Sequence, residues 1–408
     1  MAYAAANPPN RVLWINLLAL LFLAGNLRAP ITGFPPVLDQ IQASYMLTSA
    51  QAGLLMTVPL VLLGSVSPLV PRMALTLGYG RTVGLGIGLI IVGVSLRLVP
   101  SASGLYLGTA VAAAGIAIGN VLLPSLVKRD FPQKIPLLTG FAAIAMGIGA
   151  ALASATVVPL SHWWSWRWAL FSVIWVAVMA ALFHTLQQRQ QRRLAQNQTA
   201  ANRSAAQANT SAPKEKIAAW RFSIAWQVTI FMGINSTLYY AVGAWLPTIL
   251  AEQGIGAAEA GTVHGIMQFA TAVPGLVMGA IIARFKDQVG IAMIMALSMG
   301  GSLLGLLWWP QWASFWMFIF GAACGGILIT AFTFMGLRVV SIQQSAALSG
   351  MAQAVGYMFA ALGPWLVGKI QGTWVQWDTI LMAGAVLSIL MAVCGGLAGR
   401  DRQIDMAA

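Results

Sequence analysis

Twelve separate runs of about 20 apolar residues constrain this chain more than any other feature. They lie near 12–35, 49–71, 82–100, 104–127, 137–160, 166–186, 222–248, 260–283, 289–309, 312–337, 345–368 and 376–398. A helix needs about that length to cross a bilayer, and in hydrocarbon only helices and closed barrels satisfy their own backbone groups. Composition agrees: 59% of the 408 residues are hydrophobic and only 8% charged, where soluble domains carry roughly 25% charged residues. The expected fold class is therefore an all-α integral membrane protein with twelve transmembrane helices. The apolar runs fall into two sets of six, separated by residues 187–221, a stretch rich in Gln, Ala, Asn, Ser and basic residues that reads as a flexible cytoplasmic linker. The expected organisation is an N-terminal six-helix half over 1–186, the linker over 187–221, and a C-terminal six-helix half over 222–408.

Charge sets the orientation. The segments on the side of the two termini hold nearly all the Lys and Arg, and the opposite side holds only Arg97, Arg167 and Lys369. Basic loops stay in the cytoplasm, so both termini are expected there, with the protein a multi-pass component of the cell inner (plasma) membrane. The net charge of +13 then reflects those loops and gives no reason to invoke nucleic acid as a partner. Trp163, Trp164, Trp166 and Trp168 are expected in an interfacial belt.

The two halves also echo each other. Gly115, Lys128, Leu138 and Gly140 match Gly325, Arg338, Leu348 and Gly350 at a constant offset of 210. Duplicated halves around a midplane site are the plan of secondary transporters.

Against this apolar background, Arg28 stands out. A guanidinium in hydrocarbon costs at least ~2.5–3.5 kcal/mol, and no Asp or Glu lies well inside any of the runs to neutralise it. Arg28 is expected to face a polar chamber and to meet a negative group brought by a small-molecule substrate. Several polar residues recur four apart, which puts each pair on one helix face: Arg28 with Thr32, Asn235 with Tyr239, His264 with Gln268, and Gln353 with Tyr357. Asn26 adjoins Arg28, and Asn120 precedes Pro124, where a loosened backbone would offer a carbonyl. These residues either contact substrate or hydrogen-bond one helix to another; the sequence leaves both roles open. Tyr239, Tyr240, Trp245 and Tyr357 offer faces for a flat ligand. His264 is the one His well inside a run, and so the candidate proton site; whether protons are partners at all is left open. No metal-ligand spacing, phosphate loop or nucleophile elbow occurs, so no metal, cofactor or enzymatic activity is expected.

The loop around Pro71-Arg72 and Gly78-Tyr79-Gly80-Arg81 looks like the major facilitator loop between the second and third helices, with Pro71 where that motif has Asp. The counterpart around Arg284-Phe285-Lys286-Asp287 is shifted as well, which leaves these positions as solvated basic loops. More specific are Leu27-Arg28 with Thr32-Gly33, Gly119-Asn120-Val121-Leu122-Leu123-Pro124 leading to Lys128-Arg129-Asp130, Gly233-Ile234-Asn235-Ser236, His264-Gly265, and Ala346-Ala347-Leu348-Ser349-Gly350-Met351-Ala352-Gln353. At these residues the sequence resembles the cyanate/2-nitroimidazole permease family of the major facilitator superfamily, most closely its 2-nitroimidazole branch. The resemblance implies a twelve-helix inner-membrane permease for small compounds, cyanate-like anions in one branch and nitroimidazoles in the other. The expectation from it and the residues together is a monomeric transporter, secondary active or facilitative, of a small anionic or nitro-heteroaromatic compound, with Arg28 holding the substrate's negative group. Uptake of a small anion such as cyanate or an organic carboxylate is the alternative within transport. A membrane sensor that does not transport is the alternative from another class.

Overall fold

A computed structural model describes residues 10–201, 218–370 and 376–406. The N-terminal part comprises α1 (Asn10–Asn26), α2 (Ala29–Thr32), α3 (Leu38–Tyr45), α4 (Ser49–Val66), α5 (Val70–Leu77), α6 (Tyr79–Leu96), α7 (Ala102–Asp130), α8 (Ile135–Trp163), α9 (Trp166–Phe171) and α10 (Ile174–Ala201). The C-terminal part comprises α11 (Ser223–Glu252), α12 (Ala257–Ala270), α13 (Pro274–Arg284), α14 (Val289–Trp308), α15 (Ala313–Leu337), α16 (Ile342–Ile370) and α17 (Trp377–Ala398).

Ten of the expected apolar runs are helices long and apolar enough to cross a membrane, and the α4–α5 pair, bent by 54°, makes an eleventh if counted as one span. The remaining run forms α11, 30 residues long. Its length, about 45 Å at 1.5 Å per residue, suffices to span. Its hydropathy does not reach that of the others, because Asn235, Ser236, Thr237, Tyr239 and Tyr240 interrupt it. The same polar residues that make α11 a poor lipid-facing helix make it a candidate lining for a chamber.

The stretch expected as a linker begins as helix. α10 continues to Ala201, and Gln187, where the linker was placed, is buried and donates through Nε2 to Asn16 Oδ1 and Asp130 Oδ2, both at 3.0 Å. Gln, Arg, Ala and Leu are good helix formers, so α10 loses its apolar face without losing its hydrogen-bond ladder. Residues 202–217, with Arg203, Lys214 and Lys216, lie outside the described residues. Of the four tryptophans expected in a belt, Trp163, Trp164 and Trp168 are exposed; Trp166 is buried, its indole N–H on Ser44 Oγ at 2.8 Å. It follows Ser165 at the turn into α9, which points it inward to a small core with Phe34, Val37 and Leu170.

The end of the bundle that carries the exposed Arg72, Arg81, Arg284 and Lys286 is closed between the two parts. There α8 meets α13 and α16 meets α4 and α5, two contacts related by the repeat in the sequence. Glycines permit the approach. A Cβ on Gly350 would sit 2.8 Å from Pro71 Cγ and 3.0 Å from Ser67 O, and one on Gly140 would sit 3.2 Å from Gly279 Cα. Pro71 thus seals by contact at the position where the expected motif would carry a charge. Two hydrogen bonds that cross the closure both start from Lys128: its Nζ donates to Gly336 O at 2.7 Å and Val339 O at 2.6 Å, capping the C-terminus of α15 as a cation should. The paired residue, Arg338, does a different job. It is buried and donates to Ala398 O and Gly399 O at 2.9 Å and to Gln288 Oε1, tying α15 to the end of α17.

At the opposite end the cleft is open. Gly147 on α8 is the last close glycine contact with α12–α13, where a Cβ would meet Ala272 Cβ at 3.1 Å; Gly265 and Gly261, on the same face of α12 beyond it, have nothing within 4 Å.

Candidate functional site

Arg28 sits where the first span breaks. Pro30 has no N–H to return to Asn26 O, so the α-helical ladder stops and a second short helix, α2, starts with Arg28 at its N-cap, φ −124° and ψ −36°. Thr32 Oγ1 secures the break, donating to Arg28 O at 3.2 Å and lying 3.3 Å from Ala150 O of α8. The result turns the Arg28 side chain out of its own helix row, half-buried, towards the other part of the protein. There it interacts electrostatically with Tyr239 and Tyr240 of α11, Cys324 of α15 and Tyr357 of α16. Among the described residues its guanidinium has no ion pair and no hydrogen bond.

Tyr239 begins a polar chain across to α12. Its hydroxyl donates to Gln268 Oε1 at 2.5 Å, and Gln268 Nε2 lies 3.4 Å from His264 Nε2. The imidazole also lies close to the Gly243 backbone. Gln268 is exposed in the cleft, one turn beyond Ala272 at the closure. Tyr239 and Tyr240 pack edge to face, with centroids 5.0 Å apart. Asn235, a turn below Tyr239, lies beside the Cys324 thiol.

The structure therefore brings Arg28, Tyr239, Tyr240, Tyr357, Gln268, His264 and, through Cys324, Asn235 around one chamber. Asn26 and Gln353 are satisfied locally on one side only: Asn26 Nδ2 donates to Phe22 O at 2.8 Å and Gln353 Nε2 to Ser349 Oγ at 2.9 Å. Their amide oxygens, with those of Asn120 and Asn235, are buried without a partner among the described residues. Thr32 is spent on the break. Trp245 turns away: its indole N–H donates to Pro364 O at 2.9 Å and its ring packs on Trp377. An aromatic hollow between Trp309, Trp312, Phe315 and Trp316 also lies outside this set and presents almost no polar surface.

Two residues escaped sequence reasoning. Cys324 lies in an apolar run with no metal or disulfide spacing, so its place near Arg28 has no signature of its own. Arg97, placed in an outer loop because it closes an apolar run, is fully buried. Its Nη1 donates to Pro30 O at 2.7 Å and its Cζ lies 4.7 Å over the Phe34 ring, while Nε and Nη2 have no partner. It braces α2 from behind, two residues from Arg28. Its position in Leu96-Arg97-Leu98-Val99-Pro100, an arginine between apolar neighbours, was the available signal.

A two-part helical bundle whose halves meet at one end and leave polar residues exposed between them towards the other is the architecture of a membrane transporter. Residues 17–364 match the Major Facilitator Superfamily, to which the chain belongs. It is 43% identical over 396 residues to the 2-nitroimidazole transporter of Escherichia coli K12, covering 97% of each chain, and 27% identical over 368 residues to the cyanate transport protein CynX of the same organism, covering 87% of this chain and 89% of that one. Among solved structures, the fucose transporter FucP in the outward conformation superposes with a TM-score of 0.70 at 14% identity, covering 94% of this chain and 98% of that one; at that identity the likeness is one of fold. The chain is a small-molecule transporter and not an enzyme.

Proposed function

We propose that this transporter moves a small, flat anionic or nitro-heteroaromatic compound across the inner membrane, and that Arg28 binds its negative group. The observation that carries the reading is the Arg28 guanidinium facing Tyr239, Tyr240 and Tyr357 with no carboxylate against it. A guanidinium presents a planar fork of donors that fits a carboxylate or nitro oxygen pair, and tyrosine rings cover a small ring while their hydroxyls orient it. Asn120, Asn235 and Gln353 supply the remaining polar edge with Asn26. With the basic end in the cytoplasm, together with both termini, the closed end is the inner gate and the open cleft faces outward. One chain contains the whole chamber, so a monomer suffices. The relatives named for 2-nitroimidazole and cyanate bracket the substrate class: one ring bearing a nitro group, one linear anion.

The test is flux into proteoliposomes of 2-nitroimidazole, benzoate and cyanate, with wild-type protein and Arg28→Ala. Saturable flux of at least one of them, lost in Arg28→Ala while the variant still inserts and elutes as a monodisperse protein, is the expected result. Equal flux through the variant removes Arg28 from the mechanism, and binding without flux makes the protein a sensor. The direction of the gradient that drives net flux in cells separates export of a nitroaromatic from uptake of an anion.

A further inference from the structure

The chain His264–Gln268–Tyr239 ends beside Arg28 and begins at the one imidazole in the chamber, and its hydrogen-bond polarity is fixed along its length. Tyr239 O–H donates to Gln268 Oε1; Gln268 Nε2 is a donor, so the His264 Nε2 it faces must be an acceptor. This is the arrangement of a neutral imidazole, and it spends the Tyr239 proton on Gln268.

We propose that a proton taken from the outer solution by His264 reverses this chain and thereby tightens the site for an anion. The inference rests on the assignment of Arg28 as the anion-binding residue and says how that site is coupled. When Nε2 gains a proton it becomes a donor and cannot face another donor. A half-turn of the Gln268 amide about its last torsion presents Oε1 to His264 and Nε2 to Tyr239. Tyr239 then accepts from Gln268, and its own O–H is released to point into the chamber, where the ligand of Arg28 lies. No bond other than N–H is made: one proton leaves water and stays on His264, and the tyrosine proton stays on its oxygen. Linkage is reciprocal, so a bound anion favours the protonated imidazole to the same degree.

The turn of the amide is available because Gln268 is exposed in the open cleft while Ala272, one turn further, is at the closure. The titratable groups packed about His264 do not compete in its range. Tyr239 and Tyr240 on α11, Tyr357 on α16 and Cys324 on α15 ordinarily ionise above it, Arg28 stays charged, and Glu259 on α12 itself ordinarily ionises below it. His162 and His184 share the ordinary range of His264 but stand apart: His162 is exposed near the open end of α8, and His184 Nε2 is 2.9 Å from Gly80 O at the basic end.

The experiment measures binding of benzoate and of cyanate, both monoanions throughout, to the purified full chain by intrinsic fluorescence or calorimetry at pH 7.5 and 5.5, a window that brackets an ordinary histidine. The readout is the ratio of the two affinities for each protein, which does not depend on absolute affinity. Wild type is expected to bind about ten-fold tighter at pH 5.5, the scale of one added hydrogen bond to a charged ligand. In His264→Gln the ratio should fall to about one. In Gln268→Leu and Tyr239→Phe, where the imidazole remains but the relay is cut, it should also fall to below about two. A ratio near one in wild type overturns the inference while leaving Arg28 as the binding residue. A ten-fold ratio retained in His264→Gln overturns it, and one retained in both Gln268→Leu and Tyr239→Phe replaces the reversal with bare attraction by the imidazolium. Binding of neither anion at either pH overturns the anion site and this inference together.

Discussion

Replacing Lys128 by Met should move the resting protein from outward-facing towards inward-facing. The lysine makes two hydrogen bonds across the closed end, 2.7 Å to Gly336 O and 2.6 Å to Val339 O, at the C-terminus of α15. Each hydrogen bond to a charged group is worth ~1.5–3 kcal/mol gross of its alternatives, but once the halves separate, water takes the place of the carbonyls. Lys128 is only partly buried, which reduces the difference further. The net bias on the closed end is then on the order of 1–2 kcal/mol, in the upper range of a cation at a helix C-terminus, or a factor of about 5–30 between the two conformations. Spin labels at His162→Cys on α8 and Gly256→Cys before α12 straddle the open cleft, and the native Cys324 and Cys394 are buried from the label. Pulsed dipolar spectroscopy should show the long distance dominating in the Lys128 protein and a new short distance of comparable weight in Lys128→Met, with Lys128→Arg close to the parent. An unchanged distribution in Lys128→Met would refute the latch, and the closure would then rest on the glycine contacts alone.

Three further outcomes are expected. Gly350→Val places a side chain against Pro71 and the Ser67 carbonyl, which cannot yield as a flexible side chain would, so the same label pair should report the short distance. Arg338→Ala leaves Ala398 O and Gln288 Oε1 buried without their donor, and Gly399 O with only the Gln288 N–H, which should cost about 2–4 kcal/mol; an unchanged unfolding midpoint in detergent would contradict it. Arg97→Met removes a buried cation with two unpartnered nitrogens while keeping its length. Such exchanges are often neutral or stabilising, so the midpoint should hold or rise while flux of whichever test compound the wild type carries falls several-fold, because α2 loses its brace; a lowered midpoint with normal flux would show that Arg97 only supports the fold.

Much of this architecture was legible because hydrocarbon leaves so few choices. Long apolar runs had to be helices, and Gly140 and Gly350, matched by the repeat, both lie where the halves touch. Arg28 was legible for the same reason, since nothing in the sequence could neutralise it. The failures share a different cause: they concern groups whose partners are backbone atoms, which leave no pattern of residue types. Lys128 seals the closed end on two carbonyls, so reading the loop motifs for paired charges could not find it. Arg97 is held by Pro30 O, and its place at the margin of an apolar run made it look like a loop residue. Trp166 differs from its neighbours Trp164 and Trp168 only in the direction the turn into α9 gives it. Gln187 looked like the start of a linker because its neighbours are polar, whereas Asn16 and Asp130 give it a buried partnership no local window contains. Trp245, expected to offer a face to a flat ligand, has its indole N–H on Pro364 O of α16, again a backbone partner that no pattern of residue types records.

The most direct measurement compares how the chamber tells a negative group from its neutral counterpart. Affinities of benzoate and benzamide, and of 2-nitroimidazole and imidazole, are measured on the purified wild-type protein and on Arg28→Met at constant pH. Wild type should favour the charged or nitro member of each pair by at least ten-fold, and Arg28→Met should bind both members about equally. The same preference in both proteins would contradict the central claim, because the negative group would then be held by something other than Arg28.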